Sequence, residues 1–438
     1  MKTYETYKDS GIEWIGEIPE HWSSVSLKWI SKIYSGGTPS KNKPEYWSDG
    51  TIPWLNSGTV NQGDITEPSE YITEEALANS SAKWIPEKAI LIALAGQGKT
   101  KGMVAQTQFE ATCNQSLGII VPSYPELNRY LLFWLRKNYQ NIRNLGGGDK
   151  RDGINLEMIG SIPTPLPTKK EQTAITNYLD KKTTEIDQLI SEKEELVQLY
   201  QEEKTALINQ AVTKGIKPDA KLKNSGIEWL GEIPEDWNSL RLKYLGNFIN
   251  GYSFKSTDFK SSGVRVLKIS NIQHMAIDWS DESFIDEEFY DTKSGFRVLQ
   301  NDLVFALTRP IISTGIKVAL MNFDEKILLN QRNSIFRPKT KMTKWIYFIL
   351  LSSRFVQEFD KRIDKTGQQP NISSNDIGEI SIPVPTKEEQ TKIVEHIEKE
   401  TAKIDTKIAK AEKYINLLTE YRTSLISEVV TGKIKVID

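Results

Sequence analysis

Cysteine is nearly absent from this 438-residue chain: Cys113 stands alone. No intrachain disulfide can form, and the composition fits a reducing compartment. Histidine is scarce too, and His21, His274 and His396 lie far apart, without metal-ligand spacing. Long apolar runs are missing. The longest, residues 130–135 and 345–351, fall far short of the ~20 residues that cross a bilayer. The opening Met1-Lys2-Thr3-Tyr4-Glu5 lacks the apolar stretch of a secretion signal. The expectation is a cytoplasmic protein with no membrane association. An excess of either charge is also missing, with 56 Lys and Arg against 58 Asp and Glu and a net charge of −2. A free-standing DNA-binding domain is usually basic, because phosphate neutralisation supplies most non-specific affinity. The balance therefore disfavours nucleic acid unless cations gather on one face or partner subunits supply much of the grip.

Catalytic signatures are likewise lacking. Gly96-Gln97-Gly98-Lys99-Thr100 ends like a P-loop, but the first glycine of G-x-x-x-x-G-K-[ST] would fall on Ala93. Gly146-Gly147-Gly148 reads as a flexible loop rather than a phosphate cradle. No Asn-Pro-Pro-Tyr or Asp-Pro-Pro-Tyr tetrad is present, and no nucleophile–base–orienter set can be assembled. The chain reads as non-enzymatic, binding no cofactor or metal of its own.

What the sequence does have is a repeat. Lys8-Asp9-Ser10-Gly11-Ile12-Glu13-Trp14-Ile15-Gly16-Glu17-Ile18-Pro19-Glu20-His21-Trp22 returns 215 residues later as Lys223-Asn224-Ser225-Gly226-Ile227-Glu228-Trp229-Leu230-Gly231-Glu232-Ile233-Pro234-Glu235-Asp236-Trp237. Ile162-Pro163-Thr164-Pro165-Leu166-Pro167-Thr168-Lys169-Lys170-Glu171-Gln172 returns 218 residues later as Ile380-Ser381-Ile382-Pro383-Val384-Pro385-Thr386-Lys387-Glu388-Glu389-Gln390. Nearly equal offsets mean that one unit was copied whole.

Each copy ends in a heptad pattern. Ile175, Leu179, Ile186, Ile190, Val197, Tyr200, Leu207 and Ala211 are spaced by threes, fours and their sum, seven. So are Ile393, Ile397, Ile404, Ile408, Ala411, Ile415, Leu418, Leu425 and Val429. Such spacing, with Lys and Glu between, predicts a coiled-coil seam. Ile186, Ile190, Leu207, Ile404, Ile408, Ile415, Leu418 and Leu425 are its candidate spacer and partner-contact positions. Thr168 with Glu171 and Thr386 with Glu389 form the capping-box pattern, and Gly215 and Gly432 mark the ends. At about 1.5 Å per residue, each helix of ~45 residues is roughly 65 Å long. One heptad stretch alone reads as a dimerisation helix. Two matched stretches in one chain predict intramolecular antiparallel packing with a pseudo-two-fold axis. The predicted fold class is α+β, with two mixed, β-rich domains joined by the two helices. The linear division is 1–167, 168–215, 216–385 and 386–438.

Between the repeated blocks, residues 30–155 and 245–370 diverge while keeping short strands such as Ile90-Leu91-Ile92-Ala93-Leu94 and Asp302-Leu303-Val304-Phe305-Ala306-Leu307. A helix is expected near residues 127–138, with a counterpart near 345–359. The loops carry Gly, Ser, Thr, Asn, Gln, Lys and Arg. Arg or Lys can pair with guanine and Asn or Gln with adenine, while Lys, Ser, Thr and glycine N–H groups suit phosphates. The candidate DNA-binding residues are Gly37, Thr38, Ser40, Lys41, Asn56, Gln97, Lys99, Lys101, Lys150 and Arg151 in the first copy. In the second they are Tyr252, Lys255, Lys268, Asn271, Arg309, Arg332, Gln368 and Gln369. Asn114-Gln115 also recurs as Asn330-Gln331.

With these blocks assembled, the chain resembles the DNA-specificity subunits of type I restriction-modification systems. The likeness rests on the opening block and its echo, on the two Pro-(Leu/Val)-Pro-Thr-Lys-(Lys/Glu)-Glu-Gln blocks, and on the stretch from Ala93 to Gly102 through Cys113-Asn114-Gln115-Ser116-Leu117. The resemblance implies two target-recognition domains, each reading half of an asymmetric, bipartite site in double-stranded DNA. It implies helices that set the gap and dock two copies of an adenine-methylating modification subunit, with restriction/translocase subunits completing the complex. S-adenosylmethionine, ATP and Mg2+ would then sit on the partner subunits. The alternative is a scaffold binding only proteins across a coiled-coil ruler, which the near-neutral charge favours.

Overall fold

The computed structural model describes residues 2–96, 98–146 and 153–437. Its residues gather into two compact units, Met1–Lys193 with Lys413–Asp438, and Glu194–Glu412. The linear division cuts the chain where the helices begin and end; the compact units instead each take part of both helices.

In the first unit the repeated opening block forms an antiparallel pair, Tyr7–Asp9 with Glu17–Pro19. The turn between them is set by side chains, since Gly11 N donates to Asp9 Oδ1 at 2.9 Å. In the second unit, Leu222–Asn224 pairs with Glu232–Pro234, and Gly226 N donates to Asn224 Oδ1 at 2.9 Å. Asp and Asn interchange there because the turn needs only a side-chain oxygen acceptor.

Each module then opens and closes at one place. Ser23–Ser26 pairs with Pro163–Leu166, and Asn238–Arg241 with Ser381–Val384. The interiors hang from these pairs. The first holds a sheet in the order Ser31–Ser35, Leu117–Pro122, Ile90–Ala93, Val104–Thr107, Asp64–Ile65. The second repeats the first four places as Gly246–Asn250, Asn333–Pro338, Leu303–Ala306, Val318–Leu320. A second sheet differs more, with three strands in the first unit and five in the second. Both nevertheless contain one parallel pair, Ile52–Leu55 beside Thr112–Cys113 and Val264–Leu267 beside Ile327–Leu329.

The helix expected near residues 127–138 is Pro125–Lys137. Its counterpart is not continuous: Thr343–Leu351 stops at Ser352, and Ser353–Asp360 begins anew. Ser352 has extended backbone, and its hydroxyl accepts from Phe355 N at 3.3 Å, capping the second segment. The single helix expected there is corrected to two.

The long helices are Lys169–Lys214 and Lys387–Val430, closed by Gly215 and Gly432, both with φ of 75°. In the first unit the start of the first helix packs against the end of the second. Ile175, Leu179 and Ile186 share a core with Leu425, Ile426 and Val429, and Asp187 pairs with Arg422 at 2.7 Å. Tyr130 OH donates to both Pro165 O and Val430 O, so the two helices run antiparallel. In the second unit the roles exchange. Ile208, Ala211 and Val212 share a core with Ile393, Val394 and Ile397, with Lys204 on Asp405 at 2.7 Å and Lys217 facing Glu389 at 3.6 Å. The antiparallel pairing and its repetition follow the sequence pattern. Among the seam positions, Ile186, Ile404 and Leu425 are buried, while Ile190, Leu207, Ile408, Ile415 and Leu418 are half-buried. Two helices alone cannot cover a seam from every side.

Candidate nucleic-acid interface

In both modules several of the described loops singled out by residue type meet at one end of the central sheet. In the second, Gln331 N donates to Tyr252 O, Leu307 N to Arg332 O, and Arg309 N to Pro370 O. These bonds bring Tyr252, Lys255, Arg309, Arg332, Gln368 and Gln369 into one loop cluster. In the first, Gly37 N donates to Cys113 O, Asn114 N to Leu55 O beside Asn56, and Leu94 N to Ser116 O. Gly37, Thr38, Ser40, Lys41, Asn56 and Lys99 therefore belong to corresponding loops.

Arg309 and Arg332 are the most telling pair. Their φ angles are 47° and 63°, a left-handed conformation that costs a non-glycine residue and that collects at functional sites. Both side chains are exposed. Neither guanidinium has an ion-pair or hydrogen-bond partner among the described residues. An unpaired, protruding arginine can take a phosphate or the edge of guanine. Lys255, Gln368 and Lys99 are exposed as well, and Gln369 is half-buried.

Other candidates have structural work. Asn271 is buried, its amide donating to Asp278 O and Asp281 O while its oxygen takes Lys268 N. Lys268 pairs with Asp281 at 2.7 Å. Lys41 lies 3.3 Å from the Trp47 ring centroid and bonds Glu70 at 2.7 Å. Asn56 caps a short helix through Gly58 N at 2.8 Å. Gly37 is a packing glycine, its carbonyl accepting from Trp54 Nε1 at 3.2 Å. The Ser40 carbonyl accepts from Trp47 Nε1, and Tyr252 packs on Phe254 and Phe296. Lys101 is buried, and its carbonyl holds Arg143. Gln97, Lys150 and Arg151 lie outside the described residues.

The recurring Asn114-Gln115 and Asn330-Gln331 place in each cluster a glutamine that lies outside the candidate set. Thr38 Oγ1 donates to Gln115 Oε1 at 2.6 Å, and Ser253 Oγ donates to Gln331 Oε1 at 3.0 Å. The same bond thus stands at the same place in both loop clusters.

Away from the loops, the repeated frame carries a second matched feature. Trp22 Nε1 donates to Glu171 Oε1 at 3.1 Å, and Trp237 Nε1 to Glu389 Oε2 at 3.0 Å. Each bond ties an opening block to the first turn of the following helix. Burial alone would raise the Glu171 carboxyl, but bonds from Thr168, His21 and Trp22 hold it down at about 2.

Chemistry of another kind finds little support. Burial pushes the Cys113 thiol up to about 12, so it is no nucleophile at neutral pH. Among the described residues no group of three or more His, Cys, Asp or Glu could hold a metal ion. No described helix is long and apolar enough to cross a membrane. The Gly98 and Lys99 carbonyls of the P-loop-like stretch accept from Arg143 and Tyr139.

Comparison with known proteins agrees with the duplicated frame. The model of the type I restriction modification DNA specificity domain matches twice, over residues 19–199 and 234–413. The MjaVIII specificity subunit of a type I restriction enzyme from Methanocaldococcus jannaschii is 27% identical over 425 residues, 96% of this chain and 94% of that protein. The EcoAI specificity subunit of Escherichia coli is 32% identical over 203 residues, 46% of this chain and 34% of its own length. Among solved structures, a chain of a type I R-M system has a TM-score of 0.73 at 14% identity, over 95% of this chain and 99% of that one. The HsdS subunit from Thermoanaerobacter tengcongensis has a TM-score of 0.54 at 14% identity, over 95% and 98%. These structures show the shared fold. With both modules matched in order and most of its length covered, the chain belongs to the type I restriction-modification DNA specificity family, whose members are non-catalytic subunits.

Proposed function

We propose that this chain reads a bipartite, asymmetric site in double-stranded DNA, one half per module, for a type I restriction-modification complex. The observation that carries the reading is one frame repeated around two different loop clusters. The frame is common to both units, down to the tryptophan–glutamate bond. The clusters differ, with Arg309 and Arg332 in one where Gly96 and Ser116 stand in the other. Equal mounts with unequal readers suit two unequal half-sites. A scaffold that binds only proteins is not favoured by the family match.

In this reading the two helices keep the half-sites a fixed distance apart. The duplicated frame supports two copies of a DNA methyltransferase subunit, one for each repeat, with restriction/translocase subunits joining them in the cytoplasm. S-adenosylmethionine, ATP and Mg2+ belong to those partners, and this chain holds none. The near-neutral charge agrees with a division of labour in which partners supply much of the phosphate neutralisation.

The test is an exchange. Replacing residues 245–370 by the interior of another family module, and mapping methylated sites across the genome, is expected to change one half-site. The other half and the gap should stay. Change in both halves would refute independent reading.

A further inference from the structure

We propose that Gln115 and Gln331 are a matched pair of DNA-backbone contacts, each locked by a neighbouring hydroxyl with its amide NH2 turned outward. The inference rests on the reading that the loop clusters face the duplex. Its starting point is a joint that the divergent interiors share. Gly36 and Gly251 are 215 residues apart. A Cβ at Gly36 would lie 2.0 Å from the Cys113 carbonyl oxygen, and one at Gly251 1.9 Å from that of Asn330. Only glycine lets these strands approach so closely. The backbone then closes the joint, Gly37 N donating to Cys113 O and Tyr252 N to Leu329 O. That closure brings Thr38 to Gln115 and Ser253 to Gln331.

An exposed glutamine side chain ordinarily rotates freely. Here the hydroxyl donates to Oε1, which fixes the amide plane and leaves Nε2 with two N–H donors. Both glutamines are exposed, and neither Nε2 has a partner among the described residues. The paired readout of adenine uses the amide oxygen as well as the nitrogen. In both modules one of that oxygen's two lone pairs is already held by a hydroxyl, leaving the two N–H donors as the larger free capacity. A fixed pair of donors suits a phosphate oxygen instead. One group in one setting also cannot tell two unequal half-sites apart. It fits what both halves possess whatever their sequence, the sugar–phosphate backbone. The neighbours do differ, since Ser116 follows Gln115 whereas Arg332 follows Gln331. The glutamine sets the register of each module, and the residues around it read.

The test uses the full chain assembled with its modification subunits. The probes are a duplex carrying its methylated site and an equally long duplex without it. Gln115→Ala and Gln331→Ala should each weaken binding to both duplexes by the same factor, about tenfold for a lost bond to a charged group. The salt dependence should keep its slope, because a neutral donor releases no counterion. The methylated motif should not change. Thr38→Val and Ser253→Ala should lose part of that affinity, while Thr38→Ser and Ser253→Thr keep it. An altered base in either half-site would overturn the proposal, and so would unchanged affinity. If the glutamine variants are silent while Arg309→Ala or Arg332→Ala weakens binding, the loop-face reading stands and this inference falls. If all are silent, both fall.

Discussion

The two joints between module and helix invite comparison, because they use one bond in different company. In the first, Glu171 receives Trp22, His21 and Tyr4. It also closes a reciprocal box with Thr168, whose N–H donates to Glu171 Oε2 while Glu171 N donates to the threonine hydroxyl. In the second, Glu389 receives Trp237 and faces Lys217 at 3.6 Å. Its own N–H donates to Thr386 Oγ1. The tryptophan bond and the helix cap are common to both. The remaining partners are interchangeable, a histidine and a tyrosine in one place and a lysine in the other. A buried carboxylate needs its oxygens satisfied, and which donors satisfy them is open to drift.

The largest test of this comparison removes the common part. Trp22→Ala and Trp237→Ala should each destabilise their own unit by ~3–5 kcal/mol, the cost of a large core cavity, with similar losses in chemical denaturation. A loss confined to one variant would show that the joints are not equivalent. Removing the carboxylate should separate them. Glu171→Gln should cost about 1–3 kcal/mol at neutral pH, and less should be lost in Glu389→Gln. The folded-state value of Glu171 lies below the 4.5 of a free glutamate. Its carboxylate therefore stabilises the fold fully above about pH 4.5, and that contribution fades as pH falls toward 2. Glu171→Gln should flatten this part of the stability–pH profile, and an unchanged slope would contradict the bonding described. The smallest effect belongs to the variable company. His21 is half exposed, so His21→Ala should cost about 0–1 kcal/mol; a larger loss would make the histidine part of the shared design.

The frame was legible because duplication writes each signal twice. Gly215 and Gly432, Thr168 and Thr386, and the two heptad runs confirm one another, and helix ends and packing sense followed from them. The break at Ser352 was hidden, because apolar residues continue on both sides and only a capping hydroxyl marks it. The loop cluster was legible as a region and much less as residues. Asn271 and Lys41 have the side chains of base readers, yet their polar groups are held by local partners, and the Asn56 oxygen is held as a helix cap. Residue type reports what a group can bond, and only geometry reports whether it already does. The glutamines show the converse, since recurrence was visible while the hydroxyl that fixes each amide was not.

The tryptophan–glutamate bond also confers mechanical insulation. Its partners are 149 residues apart in the first module and 152 in the second, yet each module's chain enters and leaves through adjacent strands. Residues gained or lost inside such a closed loop are absorbed before the helix begins, so its first turn keeps its place. Interior loops can lengthen, shorten or be replaced while the first turn of the following helix keeps its partners.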